Sequence, residues 1–343
     1  MRLMNISRWM LILCVVVMAR GSVFTYLTDL DLDDLSYLNE KGFCQQCRFI
    51  HGIFINAELD YANLKGSDVT GANFTSAHMS YACLKEAELS FAQLDYVIAD
   101  GTNFSFARAQ KTSFHSASLI QADLSNVIAL QANFAQANLK KANLTSINAT
   151  GANLQHAIIA VSNLSNANLS MVNALYSVFD QSNLTDCTAT YAQFCHASFQ
   201  FAYLHNTDFS HSNLMEANLS GALLHGTNLQ HTDLTGAILI NAQLRDVTMD
   251  HANLKNANLF GATIEPHALD KALLCNTVLP DGTISFRDCP EAVCTIADQQ
   301  KNRSTKQQPE PVEQPVEKQT SMLMSPSRPK SPLVESPATV PAP

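Results

Sequence analysis

The chain has 343 residues, of which 46% are hydrophobic, and a formal net charge of −9 at pH 7. This acidic balance argues against non-specific nucleic-acid binding, which requires a basic surface, so no nucleic-acid partner is expected. All twelve prolines lie at or after Pro266, whereas the one tryptophan, Trp9, lies near the start. The chain is therefore expected to consist of a leader, a proline-free middle, a closing segment and a tail.

Residues 1–21 are typical of a secretory signal peptide. Arg2 and Arg8 precede an apolar run of eleven residues, Trp9–Ala19, and an A-x-G exit site ends at residue 21. Because the run is short for a bilayer span, we expect export to the periplasm or the cell exterior, with no membrane span after cleavage. The alternative is an uncleaved leader that anchors the chain in the membrane. Cleavage removes three arginines and changes the net charge from −9 to −12.

The segment 22–48 is predicted to be an N-terminal cap containing a short helix. Thr28 is a suitable N-cap residue, leucines at helical spacing share one face, and Gly42 is a suitable stop. A cap is needed because the open end of a stacked β structure exposes unpaired backbone groups.

The middle of the chain, 49–274, is a repeat. A large apolar residue recurs every five residues from Phe49 to Leu274, with a small residue two places before it, as in Ala62-Asn63-Leu64. A period of five fits neither a helix nor a strand, so the segment is predicted to be a repeat architecture. If four units close a square, the chain returns over itself after twenty residues.

This A-(D/N)-L-x-x repeat resembles the pentapeptide repeat family. The resemblance implies an all-β solenoid, a right-handed quadrilateral β-helix, here of about eleven coils and on the order of 50–55 Å long at the usual strand spacing. The family shares a scaffold more than an activity. Some of its members mimic DNA through an acidic rod and bind a type II topoisomerase.

Columns of residues spaced by twenty support such stacking independently of the resemblance. Six repeat centres are alanine, and in five of them the other inward residue is larger, as in Val97 beside Ala99 and Ile147 beside Ala149. Since interiors stay close-packed, both positions are predicted to share one core, and the column 109–189 is predicted to be locally repacked. Five central phenylalanines share one column and predict a ladder of rings: Phe54, Phe74, Phe114, Phe134 and Phe194. Eight glycines at the second place after a centre predict corners with positive φ: Gly66, Gly71, Gly101, Gly151, Gly221, Gly226, Gly236 and Gly261.

After Leu274 the repeat ends. The segment 275–297 is predicted to close the solenoid, and its start, 275–283, is similar to a segment that often follows the repeats in bacterial members of the family. Within it, Pro280-Asp281-Gly282 is a turn by its chemistry. Residues 298–343 are rich in Pro, Ser, Gln and charged residues and contain no aromatic residue, so a disordered tail is expected.

Cysteines cluster at both ends of the repeat. Cys44 and Cys47 have redox spacing, but no βαβ unit surrounds them, so a local or cap-anchoring disulfide is favoured. A Cys275–Cys289 bridge would fasten the far end, while Cys294 could compete for either partner. Three further cysteines are expected to be free thiols, the first two facing outward and the third inward: Cys83, Cys195 and Cys187.

Histidines form two columns. His211, His231 and His251 are twenty residues apart, and His205 and His225 form a neighbouring pair. Metal ligands must converge within about 2.0–2.1 Å of one ion, whereas a straight ladder spreads its first and third members over about 9–10 Å. We therefore expect no metal and no cofactor, and we treat the first column as a candidate surface binding edge.

No catalytic triad, phosphate loop or carboxylate pair is evident, so we expect no enzymatic activity. The leading hypothesis is an exported, non-catalytic scaffold that binds a protein partner of unknown identity or has a structural role. The alternative is an acidic DNA mimic, since residues 49–274 contain seventeen Asp or Glu and nine Lys or Arg. Lys140 and Lys141 interrupt that charge, and an exported protein would not meet a topoisomerase. No residues support the further hypothesis of a secreted enzyme. The sequence does not decide the oligomeric state, and an oligomer is possible.

Overall fold

The computed structural model describes residues 15–18, 22–25, 38, 41–42 and 44–290. The chain divides into two units, 1–294 and 295–343, and every described residue belongs to the first. Near the N-terminus, β1 (Val15–Met18) and β2 (Ser22–Thr25) pair antiparallel. β1 lies in the predicted leader and β2 begins just after it. The predicted tail and Cys294 lie outside the described residues.

Of the helix predicted within the cap, from Thr28 to Gly42, the structure describes only residues 38, 41 and 42. The backbone N–H of Gly42 donates to the Leu38 carbonyl at 2.9 Å, and Gly42 has a φ of 69°. A hydrogen bond to the fourth residue back and a positive φ are both expected of a glycine that ends a helix.

Parallel bridges between residues twenty apart organise the middle of the chain. They run from Arg48, which pairs with Asp68, to Val278, which pairs with Asn258. Each five-residue unit contributes one bridge and one two-residue corner. Four units therefore complete a coil, and each coil lies on the previous one at the strand spacing of about 4.8 Å.

The regular coil changes near its C-terminal end. β3 (Gln243–Leu244) pairs parallel with β4 (Thr263–Ile264), and a 3₁₀ helix, Pro266–Leu269, follows. β5 (Thr277–Val278) then pairs antiparallel with β6 (Ile284–Ser285). This helix lies inside the predicted repeat 49–274 and replaces the regular corner there, because proline has no N–H for the ladder and suits the first position of a helix.

The core is one continuous column of side chains. The predicted ladder of rings is confirmed for two pairs: Phe54 and Phe74 stack with centroids 4.8 Å apart, and so do Phe114 and Phe134. Phe194 instead meets its neighbours edge to face. Stacked and edge-on pairs both suit the quadrupole of the ring.

The predicted exchange of volume is also confirmed. Val97, Ala99, Ile147 and Ala149 are all buried. Beside Ala149 a void of about 10 Å³ remains, which is at the lower limit of about 10–15 Å³ for holding a water molecule. The larger partner thus fills nearly all the space that alanine leaves.

Serine and threonine at inward positions donate hydrogen bonds to backbone carbonyl groups. The sequence predicted only that the residues at these positions are small. The Thr207 hydroxyl donates to the Leu184 carbonyl at 2.8 Å, and the Thr112 hydroxyl donates to the Leu89 carbonyl at 2.7 Å. In both cases the acceptor lies 23 residues earlier. These bonds explain why polar side chains are tolerated in an apolar core.

Replacing Thr207 by valine is expected to lower the free energy of unfolding by about 1 kcal/mol, because the shape is kept and one buried hydrogen bond is lost. The control is Thr248→Val, whose side chain is exposed and whose effect should stay within about 0.5 kcal/mol. Urea unfolding of both variants measures the difference. Equal stabilities would contradict the role of the buried hydroxyl.

Corners of the coil adopt positive φ, as predicted. The eight glycines there have φ from 65° to 70°, but bulkier residues share this conformation, including Tyr61 at 64° and His211 at 60°. Each corner N–H is held by the next coil, as when Tyr61 N–H donates to the Ser80 carbonyl at 2.9 Å. A corner therefore does not require glycine. The hydrogen bonds between stacked coils hold other residues at positive φ as well.

Polar contacts join the last coil to the residues after it. The Arg287 guanidinium donates to the carbonyls of Leu269 and Ala272, and Asp288 accepts the Leu274 N–H at 2.8 Å. That N–H, followed by Arg287, holds the pKa of Asp288 below its usual range. No helix among the described residues has the length and apolar character needed to cross a membrane.

Candidate functional site

Cys44 and Cys47 form a disulfide with Cα atoms 5.6 Å apart. Both residues are buried, and Ser67 of the next coil covers them, since its hydroxyl donates to the Cys44 carbonyl at 2.8 Å and accepts the Cys47 N–H. Thiol exchange requires access of a thiolate to sulfur. This geometry suits a structural disulfide and gives no support to the redox alternative.

The second disulfide joins Cys275 to Cys289, with Cα atoms 4.7 Å apart. It links Cys275, which follows the last repeat centre Leu274, to the residue that follows Arg287 and Asp288. The third candidate in this group, Cys294, lies outside the described residues, so its predicted competition for a partner stays a prediction.

The remaining described cysteines are free thiols. Cys187 is buried, and desolvation strongly raises its pKa. Desolvation also raises the pKa of Cys195, with a further contribution from the Asp233 carboxylate. Since the thiolate is the nucleophile, neither group is activated for covalent chemistry.

The predicted histidine edge is a stack of parallel rings. His211 and His231 have centroids 4.8 Å apart, His231 and His251 are 5.0 Å apart, and Tyr191 continues the stack at 4.9 Å from His211. The three histidines are exposed. Stacked rings cannot converge on one ion, and within the described residues no cluster of His, Cys, Asp and Glu could hold a metal.

A second stack escaped the sequence reading. Tyr176 lies between His156 and His196, at 5.2 and 4.7 Å from their centroids, and His196 Nδ1 lies 3.2 Å from a Glu216 carboxylate oxygen. The signal was available as four residues spaced by twenty. Because the column mixes His, Tyr and Glu, no residue type recurs in successive coils along it.

The predicted repacked column is an internal feature. Ala109, Ala129, Ala149 and Ala189 are all buried, so they offer no surface to a partner. What the column can affect is the packing of the wall that covers it.

One outer wall, taken together with its two corners, carries more than half of the large exposed apolar side chains. We call it the isoleucine wall; its outward column runs in bridged steps of twenty from Glu58 to Asn258. Ile98, Ile158 and Ile238 lie in this column and are exposed, Ile98 by 40%. The column carries no charged residue from position 98 to position 258. Exposed apolar residues line the two corners beside it: Tyr61, Tyr81, Tyr96, Val161, Tyr176 and Phe201.

Charge is distributed unevenly along the solenoid. No Asp or Glu occurs from Leu124 to Phe179, and Lys140 and Lys141 lie in this stretch. The acidic residues thus form two groups separated by more than two coils. A rod that imitates a DNA backbone would need carboxylates along its whole length.

Comparisons with known proteins agree with the repeat. The family model described as pentapeptide repeats matches in eight copies and accounts for more than half of the chain. No protein among curated sequences matches. The matched segments are 53–90, 87–126, 130–159, 162–200, 192–230, 202–239 and 227–265.

Several solved structures are similar to this chain. HetL, a pentapeptide repeat protein involved in heterocyst differentiation regulation in Nostoc sp. strain PCC 7120, is 23% identical; the match covers 75% of this chain and 100% of HetL, with a TM-score of 0.47. Trypsin-treated QnrB1, a plasmid-mediated fluoroquinolone resistance protein, is 15% identical, with 63% and 89% covered and a TM-score of 0.38. Rfr23 from Cyanothece 51142 is 20% identical, with 66% and 96% covered and a TM-score of 0.15.

Proposed function

Because the chain belongs to the pentapeptide repeat family, whose members fold as right-handed β-helices, we propose that it is an exported, non-catalytic scaffold that binds a protein partner. Its solenoid has about eleven coils and is closed at the C-terminal end after Leu274. Binding takes place on the outer surface, since the interior is filled by side chains.

The observation that carries this proposal is the isoleucine wall. Its column combines exposed isoleucines with neutral polar residues, and aromatic side chains line both corners. Exposed apolar side chains rimmed by polar ones mark interaction sites, and aromatic residues are enriched at the centres of interfaces. A column that carries no charged residue from position 98 to position 258 suits a partner that presents an extended apolar face.

The paired substitutions Ile98→Asn and Ile158→Asn are expected to weaken partner capture at least tenfold, because the loss of central interface contacts costs about 2 kcal/mol or more. Asparagine already occupies this column at 138, 218 and 258, so the coil should persist. The control is Ile128→Asn, on the opposite wall, where Ile128 is 39% exposed. Quantitative capture from the exported fraction compares the variants, and equal losses in both would argue against the isoleucine wall.

Export rests on the leader. The basic start, the short apolar run and the small-residue exit site support cleavage near residue 21, and two disulfides fit an oxidising compartment. Fractionation followed by N-terminal sequencing tests the proposal. We expect a mature chain that begins near Ser22 outside the cytoplasm; an intact leader on a cytoplasmic protein would contradict it.

A DNA-mimic role is the second candidate, favoured only by the excess of acidic residues. The carboxylate-free stretch around Lys140 and Lys141 weighs against it. A gyrase supercoiling assay with the mature protein distinguishes the two roles. Inhibition at stoichiometric concentrations would support mimicry, and unchanged supercoiling is the result we expect.

A further inference from the structure

A recess near the C-terminal end of the solenoid has the chemistry of an anion site, and it is separate from the isoleucine wall. Its volume is about 90 Å³, enough for several water molecules or a small oxyanion. Six residues line it: His205, Leu223, His225, Gln243, Arg245 and Thr263.

The twenty-residue repeat brings these side chains together. His205, His225 and Arg245 occupy the same corner position in three successive coils, one strand spacing of about 4.8 Å apart. The two imidazole centroids are 5.9 Å apart. Beside them, Leu223 pairs with Gln243, and Gln243 pairs with Thr263. Three successive coils therefore contribute an apolar side chain, an amide and a hydroxyl to the lining.

Two carboxylates lie beside the recess, and one of them already contacts a residue of its lining. Asp246 Oδ2 lies 2.9 Å from His225 Nε2, and the Asp246 N–H donates to Glu265 Oε2 at 3.3 Å. Among the described residues, Arg245 makes no ion pair. Its guanidinium is thus a charged donor at the recess that no carboxylate neutralises directly.

We propose that this recess binds a small oxyanion, either free phosphate or a carboxylate, through Arg245 with support from His205, Gln243 and Thr263. A guanidinium presents donors in a planar fork that matches both anions. The carboxylates of Asp246 and Glu265 repel a bound anion, so the affinity for the oxyanion is expected to be millimolar. The proposal is independent of the partner that the isoleucine wall binds.

The test is a titration of the full mature chain, followed by NMR of the imidazole Cε1–H groups at constant ionic strength. Inorganic phosphate and acetate are added separately, from about 1 mM to about 50 mM, which spans weak affinities. We expect saturable shifts of the His205 and His225 resonances but none of His231. The more effective anion identifies whether phosphate or carboxylate is preferred.

Two variants localise the effect. Arg245→Gln should weaken binding about tenfold through the loss of charged hydrogen bonds, whereas Lys255→Gln, which removes the same charge at another corner, should leave it unchanged. The absence of saturable shifts with either anion would overturn the proposal. So would equal affinities of the wild type and Arg245→Gln.

Discussion

Replacing Phe114 by alanine is expected to lower the free energy of unfolding by about 3–5 kcal/mol, the range for truncating a buried phenylalanine. The Phe114 ring is fully buried, stacks on Phe134 at 4.8 Å and meets Phe104 edge to face at 5.8 Å. Each coil contacts only its neighbours, so the cavity removes packing from three successive coils. Denaturant unfolding followed by circular dichroism measures the loss.

The matched control is Phe106→Ala. Phe106 lies at a corner, is 54% exposed and contacts Lys85 Nζ at 5.5 Å from the ring centroid. Its replacement should cost no more than about 1 kcal/mol, the value of an exposed cation–π contact. Equal losses for the two variants would contradict the assignment of the Phe114 column to the core.

Loss of the Cys275–Cys289 disulfide is expected to lower stability by about 3 kcal/mol, the loop-entropy value for a closed loop of about 15 residues. The double variant Cys275→Ser/Cys289→Ser is preferred to a single one, because Cys294 then has neither partner. Thermal unfolding of the oxidised proteins gives the difference. The hydrogen bonds that Arg287 and Asp288 make to the last coil should also weaken. Faster hydrogen exchange of the Leu274 N–H, which donates to Asp288, would detect this change.

The N-terminal disulfide provides the comparison. Cys44 and Cys47 are three residues apart, against fourteen for the C-terminal pair. The same loop-entropy relation makes the short loop worth about 1 kcal/mol less. If Cys44→Ser/Cys47→Ser costs more than the C-terminal double variant, native packing, and not loop closure, sets the stability of these ends.

The five-residue period made much of the fold predictable. It specified which side chains point inward, and the twenty-residue columns then located the stacked pairs Phe54–Phe74 and Phe114–Phe134. The 3₁₀ helix at Pro266–Leu269 was missed because the repeat centres at this segment, Ile264 and Leu269, keep the five-residue period. Only the missing N–H of Pro266 distinguished this segment.

Candidate sites were harder to predict because they depend on outward residues, which the repeat does not constrain. The His211 column was found from its spacing alone. The isoleucine wall was missed because Ile98, Ile158 and Ile238 are separated by polar residues within their column. The recess at Arg245 is lined by residues of two adjacent columns. The twenty-residue period predicts neighbours within one column but not contacts between two columns.

The most direct test of the central claim, that the isoleucine wall binds a protein partner, is site-specific photo-cross-linking in the exported fraction. A photoreactive residue replaces Ser118 or Asn138 on that wall, or, as controls, Asn133 on an adjacent wall or Asn148 on the opposite wall. We predict one cross-linked partner from positions 118 and 138 and little product from 133 and 148. Equal cross-linking from all four positions, or none from 118 and 138, would contradict the account.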